Sequence, residues 1–172
     1  LEADAMVLKP FIKNITDDGV ARVPGTAVFL TQNAESVPHA MLHSLKHYKA
    51  LHERIIILSV EVFDVPYVPD IDRIEVHRLT GNFSQVIVQY GFKDDPDIPA
   101  ALAFCAESGL NIDMMDTSFF LGRETLIPKL GSEMAYWREL IFVAMFRNAG
   151  SATTFFKIPS SRVVELGSQV VL

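Results

Sequence analysis

The apolar positions of the chain fall into short blocks separated by turn chemistry, and their spacing changes from block to block. AVFL, at the centre of Thr26 to Thr31, is a continuous apolar run typical of a strand buried on both faces. RIIILSVEVF, residues 54–63, is apolar and β-branched enough for a central strand. Between these two the spacing is helical. Met41, Leu42, Leu45, Tyr48 and Leu51 define one apolar side, and His39, His43, Lys46 and His47 fall on the other. Ser36 suits an N-cap and Pro38 a first turn, where its missing N–H costs nothing, so a helix is expected from there to about residue 51.

The remaining blocks extend the series. DVPYVPD, residues 64–70, contains two prolines and is expected as loop. RIEVHRLT and FSQVIVQY flank Gly81-Asn82, a pair suited to a primed turn, so residues 73–90 predict a β-hairpin. Asp97 caps a helix to about Ser108 that Gly109 closes, and MMDTSFFL, residues 114–121, reads as the next strand. Ser132 opens a third helix to about Asn148, stopped by Ala149-Gly150. After FFKIP and its Pro break, RVVEL and SQVVL predict short extended segments that turn once, around Gly167. Residues 1–21 are mixed in character and include the turn signal Asp17-Asp18-Gly19, so they read as a tether leading into a folded body over residues 22–172. The order β-α-β-β-β-α-β-α-β-β predicts an α/β fold in a single domain. Its sheet is mixed, parallel where a helix crosses over and antiparallel at the hairpin, with helices packed on its faces.

Composition adds two constraints. A hydrophobic share of 49% in 172 residues suits one domain with a real core. The longest apolar run, Leu140 to Phe146, is far short of the roughly 20 residues that span a bilayer. Apolar composition without a spanning segment predicts surface covered by a partner or by a neighbouring part of a longer polypeptide. The third helix is the place to expect it, because Trp137, Ile141, Phe142 and Phe146 belong to a segment apolar nearly all round. The net charge of −6 and the lack of a basic stripe exclude a nucleic-acid binder. One cysteine, Cys105, permits neither an internal disulfide nor a multi-cysteine metal cage and fits a reducing compartment. Residues 1–5 carry neither a basic nor an apolar leader pattern, and the chain reads as an excised piece of a longer polypeptide.

Candidate chemistry is sparse. His39, His43 and His47 recur every fourth residue beside Lys46, Lys49 and Arg54. A pair of histidines at that spacing can supply two zinc ligands, but a structural site needs four and no HExxH accompanies them, so the pattern specifies no metal site. It suits proton sensing better: charging the histidines in acid adds like-charge pairs costing about 0.2–0.5 kcal/mol each, enough to bias an interface and too little to unfold a domain. The loop TQNAES after the first strand has no glycine and hence no backbone cradle for a nucleotide phosphate. Asp116, Thr117 and Ser118 interrupt an apolar strand and need partners. No GxSxG elbow joins the serines and histidines, so nothing supports an enzyme or a cofactor.

RVPGTAVFLT, LHSLKHYKALHERIIILSV, MMDTSFFLGRETLI, FRNAG and IPSSRVVELGSQVVL follow one another across most of residues 22–172. Together they resemble the C-terminal cytoplasmic region of Kup-type potassium uptake transporters. The resemblance implies a parent protein that imports potassium with protons through a membrane portion outside this chain. Leu172 is then the expected natural C-terminus, and LKPFIKNI, residues 8–15, the segment emerging from the membrane part. It implies a regulatory or assembly domain on the cytoplasmic side of the bacterial inner membrane, partnered by that membrane portion, and it leaves open a second copy as partner in a homodimer. The alternative it leaves open is a domain that senses a nucleotide or cyclic dinucleotide and controls transport.

Overall fold

The computed structural model describes residues 6–17, 19–127 and 152–171 of the chain. β1 (Ala21–Thr31) leads through α2 (His39–Tyr48) to β2 (Ala50–Phe63), which pairs with β1 in parallel. β3 (Ile74–Arg78) and β4 (Phe83–Gly91) form the antiparallel hairpin, and β4 lies parallel to β2. α3 (Ile98–Phe104) then carries the chain back across the sheet to β5 (Thr117–Ile127), parallel to β1 on its other side. β6 (Val163–Val171) adds in parallel to β5, giving the order β3-β4-β2-β1-β5-β6. The expected mixed α/β sheet is therefore present, antiparallel only at its hairpin.

Alternation along the strands divides the core in two. Phe29, Ile55, Ile57 and Phe83 point to one face, where α2 supplies Ala40 and Met41. Val28, Ile56, Leu58, Val86 and Val88 point to the other, where α3 supplies Ile98, Ala101 and Leu102 and the turn after it Cys105.

Several elements depart from expectation. Residues 8–17, read as part of a tether, form α1 (Leu8–Asp17), and its Leu8, Ile12 and Ile15 are buried in the α2-side core. Their helical spacing puts all three on one side. The Leu8 N–H donates to the Glu35 carbonyl at 2.9 Å and Val37 N–H to the Met6 carbonyl at 2.9 Å, fastening this segment to the chain entering α2. β1 starts earlier than AVFL suggested, because it continues through a register shift between Val23 and Thr26. Gly25 allows that shift with φ +100, and a Cβ there would lie 3.0 Å from the Asp116 carboxylate.

α2 has Pro38 at its N-cap without a side-chain bond, while Ser36 instead bridges Val7. The helix stops at Tyr48 because Lys49 turns left-handed (φ 53), releasing Ala50 and Leu51 into β2. The hairpin turn is longer than two residues: Leu79 N–H bonds the Phe83 carbonyl at 3.0 Å, and Gly81 has φ +61. α3 tightens into a 3₁₀ turn over Cys105–Ser108 that Gly109 ends as expected, with φ +76. A 3₁₀ turn over Met114–Asp116 precedes β5.

The FFKIP region begins with a short helix, α4 (Ala152–Phe155). β6 does not turn at Gly167, which pairs with Arg123 inside an unbroken ladder from Phe119↔Val163 to Ile127↔Val171. The third helix expected from Ser132 to Asn148 lies outside the described residues.

Candidate functional site

α2 displays His39 and His47 to solvent and leaves His43 half-buried. The His43 and His47 rings lie 4.4 Å apart between centroids, tilted by 37°, as expected for neighbours one helical turn apart. On the inner side Met41 is fully buried and Leu42 and Leu45 pack against the core. Tyr48, expected on that apolar side, is 66% exposed because it is the last residue of the helix. No group of three His, Cys, Asp or Glu residues that could hold a metal ion occurs among the described residues. Trp137, Ile141, Phe142 and Phe146 lie outside them.

Thr117 and Cys105 are structural. Thr117 is buried and its hydroxyl donates to the Asp113 carbonyl at 2.6 Å. Cys105 is buried in the α3-side core, and burial pushes its thiol up to about 11. The loop after β1 stands where a doubly wound sheet usually binds ligands, since β1 separates β2 from β5. Its polar groups bond one another instead. Asn33 Oδ1 accepts the Glu35 N–H at 2.9 Å, and the Thr31 and Ser36 hydroxyls donate to the Asn33 carbonyl at 3.1 Å.

A cleft of about 320 Å³ opens at the opposite end of the strands, where β2 and β4 begin. Thr26, Arg54, Arg78, Asn82, Ser84 and Asn111 line it. Arg54 Nη1 donates to the Asn111 carbonyl at 2.8 Å and Arg78 Nη2 to the Gly109 carbonyl at 2.9 Å, so two guanidinium groups hold the loop that follows α3. Gly109 accommodates this approach, since a Cβ there would lie 2.8 Å from Arg78 Nη2. Sequence reasoning missed these residues, having placed both arginines in strand segments without a role in a site. The available signal was an arginine two positions before Ile56, on the face that the strand turns toward the core.

A mainly parallel sheet wound in both directions from β1, with helices on both faces, defines a doubly wound α/β domain. Residues 24–172 match the family described as K+ potassium transporter C-terminal domain, and the chain belongs to that family. Over all 172 residues it is 78% identical to the probable potassium transport system protein Kup 3 of Dechloromonas aromatica (strain RCB), covering 28% of that protein. It is 56% identical to the probable potassium transport system protein Kup of Aromatoleum aromaticum, covering 27% of it. With its counterpart in Myxococcus xanthus (strain DK1622) the identity is 50%, again over the whole chain and 26% of the relative. The chain thus spans about a quarter of the length of these relatives. No solved structure matches it. No helix among the described residues is long and apolar enough to cross a membrane.

Proposed function

We propose that the chain is the regulatory and assembly domain, on the cytoplasmic side of the membrane, of a proton-coupled potassium uptake transporter. Residues 1–21 lead from its membrane portion, with α1 docked on the folded body. The observation that supports this reading is the family match over residues 24–172 within relatives named as potassium transport proteins, of which the chain spans 28% or less. The ion path then belongs to the rest of the polypeptide.

In this reading Trp137, Ile141, Phe142 and Phe146 form the contact with the membrane portion or a second copy, and His39, His43 and His47 respond to protons. Charging three neighbouring histidines biases a packed interface by a few tenths of a kcal/mol per pair, a regulatory rather than an unfolding effect.

The test is rubidium uptake by the full-length transporter in cells lacking other potassium uptake systems, with membrane abundance measured in parallel. Ile57→Asp, which breaks the core, is expected to reduce uptake per transporter. Replacing His39, His43 and His47 together by Gln is expected to flatten its pH profile. Unchanged uptake per transporter in Ile57→Asp would refute the regulatory and assembly role. An unaltered pH profile in the triple variant would remove proton sensing.

A further inference from the structure

The α3-side face is apolar through Val28, Ile56, Val76 and Val86, yet a staggered row of positions near the start of β2 and β4 is polar. Thr26 is opposite Arg54 in the β1/β2 register, and Arg78 is opposite Ser84 in β3/β4. Each of the four is two residues from an apolar position of that face, so alternation turns all of them the same way. The cleft is the place where this row meets the loop after α3, at Asn111.

The charge of the cleft is one-sided. No Asp or Glu is among its described lining residues, and neither Arg54 nor Arg78 takes part in an ion pair among the described residues. Each commits one N–H to a backbone carbonyl. A guanidinium has five, in a fork that fits oxyanions. Thr26 is 1% exposed, and its hydroxyl has no hydrogen-bond partner among the described residues. On a chain of net charge −6, the row concentrates positive charge and leaves a buried donor without an acceptor. An anion supplied from outside the chain answers both.

We propose that this cleft binds a small phosphoryl oxyanion. Arg54 and Arg78 supply the charge, and Thr26, Asn82, Ser84 and Asn111 supply neutral hydrogen bonds. The donors converge from four strands, the hairpin turn and a loop, which suits a tetrahedral group with three or four oxygens better than a planar carboxylate. The volume, about 320 Å³, is at the low end for small-molecule sites and fits inorganic phosphate or a compact phosphate ester. Because the same guanidinium groups hold Gly109 and Asn111, occupancy stiffens the link from α3 to β5. The site goes beyond the transporter reading and does not depend on it.

The experiment is calorimetric titration and thermal melting of the 172-residue chain with inorganic phosphate, glycerol 3-phosphate, acetate or chloride at matched ionic strength. Saturable phosphate binding that raises the melting temperature above the chloride control is expected, with amide shifts at Gly109 to Ile112. Tighter binding of glycerol 3-phosphate than of phosphate would identify an ester as the ligand type. The reverse order would identify the free ion. Arg54→Gln and Arg78→Gln are each expected to weaken binding by roughly tenfold or more, whereas Lys46→Gln on α2 leaves it unchanged. Ser84→Ala, which leaves both arginine clamps in place, provides a second reading should an arginine variant fail to fold; weaker binding is expected there too. A phosphate response equal to that of chloride or acetate, or one unaltered in the folded variants, would overturn the proposal and leave the arginines as loop clamps.

Discussion

The two faces of the sheet are made by alternate residues of the same strands, and they end differently. On the α1/α2 face the apolar core continues from Phe29 and Ile57 through Ile55 to Leu51 and Phe83, under two helices that add Leu8, Ile12, Ile15 and Met41. On the α3 face the core stops at Val28, Ile56 and Val86, and the position two residues before each is polar: Thr26, Arg54 and Ser84. The cover explains the contrast. α3 is only 7 residues long, and beyond its 3₁₀ extension the chain covers this end of the face with a loop whose Leu110 and Ile112 are only partly buried. A face sealed to its edge serves as foundation, and a face whose helix stops short has room for a cleft.

Matched truncations test whether the faces weigh equally. Phe29 and Phe119 are fully buried on opposite faces, and Phe29→Ala and Phe119→Ala should each cost about 3–5 kcal/mol in urea unfolding. Two similar losses support a shared core, and a small loss at one site shows which face is dispensable. Ile12→Ala comes next, at about 2–5 kcal/mol if α1 is part of the foundation. A cost below about 1 kcal/mol would return this segment to the role of a tether.

Asp97 caps α3, with Oδ1 accepting the Ala100 N–H at 2.9 Å, so Asp97→Ala should cost about 1 kcal/mol. The smallest effect concerns His52 near the start of β2. Burial lowers its pKa from 6.5, and the Asp116 charge opposes that shift only in part. The unfolded chain therefore takes up the proton first as acid is added. The His52 contribution is complete above about pH 6.5 and declines below it toward the lowered folded value. His52→Gln should flatten the stability profile in that window, and an unchanged slope would contradict the assignment.

Much of the architecture was legible because parallel strands buried on both faces read as apolar runs. IIIL in β2 and AVFL in β1 need no partner to be recognised. α1 was harder to read: Leu8, Ile12 and Ile15 are interleaved with Pro10 and Asn14, and Asp17-Asp18-Gly19 draws attention to a turn. The end of α2 depends on a left-handed Lys49, a conformation that lysine does not advertise. The arginine cleft was the least legible feature. Arg54 and Arg78 are separated by a loop and become neighbours only through pairing of β2, β4 and β3, a long-range register that single-segment periodicity does not contain.

β1 pairs with β2 immediately downstream, but its other partner, β5, follows only after β3, β4 and α3. Ribosomes add about 5–20 residues per second, so a nascent chain holds β1 for a few seconds with one edge unpaired. Such an edge is a template for wrong pairing with other chains. The rate at which Asp64 through Asp116 is translated therefore bears on how much chain reaches the native sheet, a consequence of strand order that equilibrium stability does not reveal.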